Sequence, residues 1–482
     1  MDAISAFRRA ARRDPDRIFT FDAERSVTYR DANDASERVA NALVGAGLAA
    51  GDTLGLASPD SVDQLVAILG AWKAGVLPGF IDARTADEQL PYFVGDVGAR
   101  LILAVPELED RLRRAGANEV VDIGGFGADG ATGVVDRHGP DAPLYLSYTS
   151  GSTGPPKGAI LLSGPVTLGT ACIADRLGIS REDLLLASTP TASSFQLVAA
   201  FLPALHAGAT IGLVAGCTPQ EIWTIARQRG ATVLVAYPLT LSDMVNAPQA
   251  SEGGSPFRLA LSGGSPLAPR IKRDFRERLG IALLESYGQS ELGGFMALGS
   301  ERDGARALAG FVGRPLPDRL AYIGLPDGSE APSGEIGEVL VPSGYFAEYR
   351  NKPEKTSESL AGGVLHCGDL AIADPDGFLR VLGRTGEAEA ARDRGGFLRE
   401  LEDALYEHPD VHHAVVVERA SDRAVIAFAE LGGGSAANAD ELASFATDRV
   451  ASGLRPATTT IVEQMPRTFS GKANRLMLAA QT

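Results

Sequence analysis

Short apolar runs alternate with amphipathic stretches along most of the chain. Asp52–Ala57 has the apolar texture of a strand. Ser61–Lys73 carries Val62, Leu65, Ile68 and Leu69 at helical spacing and predicts a helix. Val76–Ile81 reads as a strand, Ala86–Val97 as a helix and Arg100–Val105 as a strand. The alternation resumes with strand-length runs at Leu184–Ser188, Ala209–Val214, Thr232–Ala236, Phe257–Ser262 and Ile281–Ser286. Pro219–Arg229 and Leu267–Leu279 read as helices between them. Repeated βα units predict parallel sheets covered by helices on both faces. In such sheets the loops at the carboxyl ends of the strands form the ligand crevice.

The texture changes near residue 319. Arg319–Gly324, Glu338–Pro342 and Phe378–Leu382 are separated by Gly, Pro and Asp turns, the pattern of a β meander. Residues 385–396, TGEAEAARDRGG, read as charge-rich and weakly structured. The tail then predicts a helix at Arg399–Glu407, strands at Val411–Glu418 and Arg423–Glu430, a helix at Ala439–Ser452 and a strand at Thr458–Val462. The expected class is α/β. Residues 1–384 form a large N-terminal domain of βα-layered sheets plus a β subdomain, and residues 385–482 form a small α+β C-terminal domain.

Composition narrows the function. The chain has 482 residues, 45% hydrophobic and 22% charged, which is enough for more than one core. Its formal net charge of −16 repels phosphate backbones, so nucleic acid is not the expected partner. Cys172, Cys217 and Cys367 are far apart and lack metal-ligand spacing, which argues against a disulfide scaffold or a zinc site. No apolar run is long enough to cross a bilayer, and the first residues lack a secretory pattern. The expected location is the cytoplasm, without a membrane partner.

Four segments carry chemistry. Thr149, Ser150, Gly151, Ser152, Thr153 and Gly154 precede Lys157 and follow the apolar run Leu144–Tyr148. The glycines free the backbone to curl, the hydroxyls donate, and Lys157 adds a cation, so the loop suits polyphosphate. It is not the P-loop pattern, because no Gly precedes the lysine and no Ser or Thr follows it. Next, Tyr287-Gly288-Gln289-Ser290-Glu291 follows a strand-like run and joins an aromatic ring to a potential Mg²⁺ carboxylate. His366-Cys367-Gly368-Asp369 offers an acid for ribose hydroxyls, and Gly383-Arg384 follows. Last, Lys472 ends Pro466-Arg-Thr-Phe-Ser-Gly-Lys, on a loop between a strand and a final helical stretch. Taken singly, the second and third also read as ordinary turns, and Lys472 as a solvent-exposed terminal lysine.

In this order and spacing the four segments resemble the superfamily of adenylate-forming enzymes. Its members are acyl- and aryl-CoA synthetases, peptide-synthetase adenylation domains and luciferases. Further landmarks are Val27–Arg30, Leu69–Gly75, Leu261–Leu267, Val312–Pro315 and Gly334–Glu338, so the resemblance covers nearly the whole chain. It implies that the Thr149–Lys157 loop holds phosphates and Tyr287 stacks on adenine beside Gly288. Ser290 would meet phosphate, Glu291 would coordinate Mg²⁺, and Asp369 and Arg384 would bind ribose. Lys472 would be the adenylation lysine, on a mobile C-terminal domain. The implied reactants are ATP with Mg²⁺, a small carboxylic acid, and CoA or a carrier-protein phosphopantetheine supplied in trans as the thiol.

Two stretches depart from the family pattern. Gly386 stands at the hinge, and Ala388–Gly396 replaces the usual β-hairpin with residues of low β propensity. Amino-acid-activating members of the resembled superfamily carry an aspartate for the α-ammonium in the segment matching Thr191–Leu197. This segment has no carboxylate, so the resemblance disfavours an amino acid as substrate. Phe195, Ala236, Tyr237, Ser262, Gly263, Gly264 and Ser286 are the candidate pocket lining. Their apolar and small character points to an aryl or short-to-medium acyl acid. The leading expectation is a CoA ligase. The alternatives are a stand-alone adenylating enzyme that loads a carrier or an amine, and a non-catalytic adenylate-binding protein.

Overall fold

The apolar runs pair into two large, mostly parallel sheets. The computed structural model describes residues 2–133, 136–148, 156–251, 253–317, 321–342, 344–468 and 471–482. Among these, Ile18–Phe21, Thr210–Leu213, Leu184–Ala187, Val233–Val235, Leu259–Ser262 and Ala282–Gln289 lie side by side in parallel. Antiparallel strands close both edges of this sheet. A second sheet pairs Pro143–Tyr148, Leu77–Phe80, Thr53–Ala57, Leu101–Ala104 and Glu119–Asp122 in parallel. Gly158–Leu162 and Phe346–Tyr349 extend it antiparallel.

The helix expected from residue 61 lies between these sheets. Ser61 caps Val62–Ala74 by accepting from the Gln64 N–H at 3.2 Å. Every residue of the helix except Asp63 is buried, so the apolar stripe seen in the sequence is one face of an element enclosed all round. The Trp72 indole donates to the Leu144 carbonyl at 2.6 Å and ties the helix to the second sheet.

Pro219–Arg229 forms over the expected residues, fixed by a reciprocal capping box between Thr218 and Glu221. The helix expected at Ala86–Val97 begins only at Leu90, where Pro91 occupies its first turn. Ile281–Ser286 extends as Ala282–Gln289, because Tyr287 to Gln289 pair antiparallel with Gly294–Leu298. Gly288 permits this: a Cβ there would lie 2.1 Å from the Gly294 carbonyl oxygen.

The meander is a four-stranded antiparallel sheet of Tyr322–Gly324, Gly337–Pro342, Val364–Ala373 and Leu379–Arg384. The expectation of weak structure at 385–396 is corrected. Thr385–Glu387 form a 3₁₀ turn and Ala388–Arg394 an α-helix. Poor strand formers such as alanine are good helix formers, and Ala391 is buried against Leu370, Leu382 and Phe397. A Cβ at Gly386 would meet nothing within 4 Å, so local packing does not require glycine there.

The small C-terminal unit has strands Val411–Glu418, Val425–Leu431 and Thr458–Val462, with helices Leu398–Tyr406 and Ala439–Thr447 packed together. Its second strand starts two residues later than expected, because Arg423 turns with a φ of 62°. Leu398, Leu401 and Leu405 join one apolar cluster with Leu267, Ile271 and Phe275 of the large unit. No helix among the described residues is long and apolar enough to cross a membrane.

Candidate active site

Several strands of both sheets end at a single cavity. It has a volume of about 680 Å³ and is lined by Lys157, Phe195, Tyr237, Gly264, Glu291, Arg384 and Lys472, among others. Ser193 follows the strand Leu184–Ala187, Tyr237 follows Val233–Val235, and Gly264 follows Leu259–Ser262. The crevice thus opens at carboxyl ends of parallel strands, as βα topology requires. Although the whole chain is acidic, the described residues bring five cationic side chains to the cavity wall: Lys157, Lys352, Lys355, Arg384 and Lys472. Asp82, Glu291 and Glu358 are the lining carboxylates.

One wall is a hydrogen-bonded cluster. Asp369 and Arg384 are cross-strand partners in the meander, which places the Arg384 guanidinium 3.1 Å from the Asp369 carboxylate. The Tyr287 hydroxyl and the Gln289 amide each donate to Asp369 Oδ2 at 2.6 Å. Burial, together with the Asp369 carboxylate it hydrogen-bonds, pushes the Tyr287 phenol far above its ordinary value, so it acts as a neutral donor. Tyr287 and Asp369 stand behind the cavity surface, while Gly288, Gln289, Ser290 and Gly368 line it. Gln289 was not expected as a site residue. Its signal was its place inside the Tyr287–Glu291 segment.

A second cluster surrounds Glu291, which is 8% exposed. The Tyr349 hydroxyl donates to Glu291 Oε1 at 2.5 Å, and Lys157 Nζ stands 4.2 Å from the centre of the Tyr349 ring. Tyr349 reaches this point because its strand pairs with Gly158–Leu162, which directly follows Lys157. Nothing near Tyr349 in the sequence marks it. Hard carboxylate oxygen on the wall of a polar cavity fits a Mg²⁺ ion, which keeps several waters and takes one or two carboxylates. Glu291 would hold it. The expected phosphate-loop residues Thr149, Ser150, Gly151, Ser152, Thr153 and Gly154 lie outside the described residues.

The far end of the cavity is aromatic. The Phe195 ring stacks on Tyr237 at 5.4 Å and lies 5.8 Å from Phe295. Ser193 Oγ and the Tyr237 hydroxyl are 2.6 Å apart. Of the expected pocket residues, Phe195, Tyr237 and Gly264 line the cavity. Ala236, Ser262, Gly263 and Ser286 sit one layer behind: Ser262 donates to the Ala236 carbonyl and Ser286 to the Ser262 carbonyl. A Cβ on Gly263 would lie 2.7 Å from the Phe195 ring, so glycine lets that ring approach the strand end closely.

Lys472 enters from the small unit. Its Nζ lies 5.1 Å from the centre of the Tyr237 ring, and a Cβ on Gly264 would be 3.1 Å from that nitrogen. Burial, aided by the nearby Arg384 charge, lowers its pKa to about 8. No carboxylate among the described residues forms an ion pair with it.

Asp243, His412 and His413 also cluster closely enough to ligate a metal ion, away from the cavity lining. Arg467 already neutralises Asp243 there at 2.7 Å.

Comparison with known proteins gives the same picture. A feruloyl-CoA synthase of Amycolatopsis is 27% identical over 462 residues, covering 93% of this chain and 92% of that one. A fatty acid–[acyl-carrier-protein] ligase of Streptomyces coeruleorubidus is 26% identical, covering 94% and 91%. The crystal structure of a benzoate CoA ligase from Burkholderia xenovorans superposes with a TM-score of 0.90 at 22% identity, covering 99% of this chain and 100% of that one. Residues 7–348 match the AMP-binding enzyme family and residues 400–472 match the AMP-binding enzyme C-terminal domain. The chain therefore belongs to the family of AMP-binding enzymes.

Proposed function

We propose that this AMP-forming acid–thiol ligase activates an aryl or short-to-medium acyl acid and transfers the acyl group to CoA. The observation that carries the reading is the convergence of Lys157, Glu291, Arg384 and Lys472 on one cavity with an aromatic end. ATP lies with its ribose toward Asp369 and Arg384 and its phosphates toward Lys157. Bound at Glu291, Mg²⁺ supplies positive charge to the polyphosphate.

The acid's carboxylate oxygen attacks the α-phosphorus. The bond from that phosphorus to the bridging oxygen breaks, and pyrophosphate leaves. Lys472 faces the space between the aromatic end and the phosphates, where its ammonium spreads the charge that develops during the transfer. A thiolate then attacks the acyl carbon, the bond to the phosphate oxygen breaks, and AMP leaves. This second step has a good leaving group and needs no help from Lys472.

Phe195, Tyr237 and Phe295 favour a flat or short apolar acid. Asp82, the lining carboxylate outside the phosphate region, is paired with Arg84 at 2.8 Å, so among the described residues no unpaired acid lines that region for a substrate ammonium. The small C-terminal unit, taken as beginning after Arg384, is the moving part. A panel of aryl and acyl acids assayed for pyrophosphate release, with and without CoA, tests the reading. Acid-dependent release and CoA-dependent AMP formation are expected. Release that proceeds to product only with a carrier-protein thiol would give the acceptor role to that partner, and no acid-dependent release would overturn the reading.

A further inference from the structure

Helix Pro238–Asn246 packs against the small unit, Leu239 entering an apolar cluster with Val415, Val417 and Met465, and its polar contacts fall at two places. Tyr237, its N-cap, lies beneath Lys472. Six residues along, Asp243 meets three side chains of the small unit. Arg467 donates to Asp243 Oδ2 at 2.7 Å, and His413 Nε2 lies 2.8 Å from Oδ1. His412 Nε2 is 3.5 Å from the same Oδ1. The neighbouring Ser242 hydroxyl donates to the His412 carbonyl at 2.9 Å.

Successive residues of a strand normally point to opposite faces. Here the register slips between Val411 and His413, a β-bulge, and the two imidazoles stack at 4.5 Å with 11° between their planes. The bulge aims both rings at the one carboxylate. A divalent ion could use the same three residues, but the Arg467 guanidinium also sits 3.5 Å from His413 Nε2. With a cation already present, the cluster acts as an ion-pair contact between the units.

Arg467 adjoins Thr468, which is hydrogen-bonded to Lys472 itself. The Thr468 N–H donates to the Lys472 carbonyl at 2.7 Å, the Lys472 N–H donates to Thr468 Oγ1 at 3.2 Å, and Arg467 bridges Ala473. Where Arg467 is held, Lys472 follows. We propose that Asp243 is a positioning residue for adenylation: by holding Arg467 and His413 it sets Lys472 over Tyr237 inside the cavity. This rests on the adenylation reading of the cavity.

The test measures the two half-reactions separately, in the whole protein. One assay is acid-dependent ATP–pyrophosphate exchange. The other is thioester formation from CoA and synthetic acyl-adenylate, a step that does not use Lys472. Asp243→Ala is expected to lower the exchange kcat about tenfold or more, since truncating one partner of a hydrogen-bonded charge pair leaves the others unpaired. The KM for ATP and the thioester rate should stay within about twofold, as no contact with either ligand is lost. Asp243→Asn should fall between, because its amide oxygen still accepts from Arg467. Asp243→Ala combined with Arg467→Ala should cost less than the product of the single losses. Equal losses in both half-reactions of Asp243→Asn, or exchange within twofold of wild type in Asp243→Ala, would overturn the positioning role. The wild-type exchange rate itself tests the adenylation reading, so the two failures are told apart.

Discussion

The two sides of the cavity are held in different ways. Tyr287 and Gln289 hydrogen-bond to Asp369, which pairs with Arg384 on the adjacent strand, all within the large unit. Lys472 faces them from another unit, and its place depends on contacts such as Arg467 with Asp243. The first arrangement is preorganised, so its residues are expected to govern nucleotide affinity. The second is assembled by docking, so its residues are expected to govern rate. Interactions that exist only when the units meet suit charge that develops only during reaction.

The largest test of this contrast is Lys472→Ala. Pyrophosphate exchange should fall on the order of 10²–10³-fold, the cost of losing one charge-stabilising group, while ATP affinity by calorimetry changes little. Equal loss of affinity would erase the distinction. On the opposite side, Asp369→Ala removes the carboxylate acceptor of the Tyr287 hydroxyl and one of the two acceptors of the Gln289 amide, which keeps the Cys367 carbonyl. ATP should bind about 10–100-fold more weakly, read in the same titration.

A pH profile sharpens the comparison. Burial lowers the Lys472 pKa to about 8, so the ammonium is present below that pH and lost above it. The kcat/KM for exchange should fall about tenfold for each pH unit above 8, and Lys472→Arg should move that limb upward. Asp369→Asn should leave the limb in place. The smallest expected effect is at Gly263→Ala, whose Cβ would meet Ser286 Oγ at 2.3 Å and the Phe195 ring at 2.7 Å. Pushing that ring into the cavity should raise the KM for the acid about fivefold, with ATP binding unchanged.

The site was legible where chemistry is concentrated in short segments. Lys157, Glu291, Arg384 and Lys472 could be picked out because each lies in a run rich in glycine, hydroxyls or charge. Tyr349 and Asp243 could not. Tyr349 meets Glu291 across 58 residues and Asp243 meets Arg467 across 224, so pairings of distant segments, with no local pattern, bring them together. Residues 385–396 were misread for another reason. A charge-rich run reads as weak structure, whereas alanines packed beside Phe397 make a helix.

The sequence by itself determined the alternation of strands and helices and the types of side chain available to line the cavity. These follow from periodicity and residue chemistry, which are local. Only the tertiary structure decided which groups share a surface. It placed Tyr287 and Asp369 behind the cavity wall and Gly263 beneath Phe195. It also tied the reach of Lys472 to a carboxylate on another unit. Those relations arise from strand pairing and docking between distant segments, and no window along the chain contains both partners.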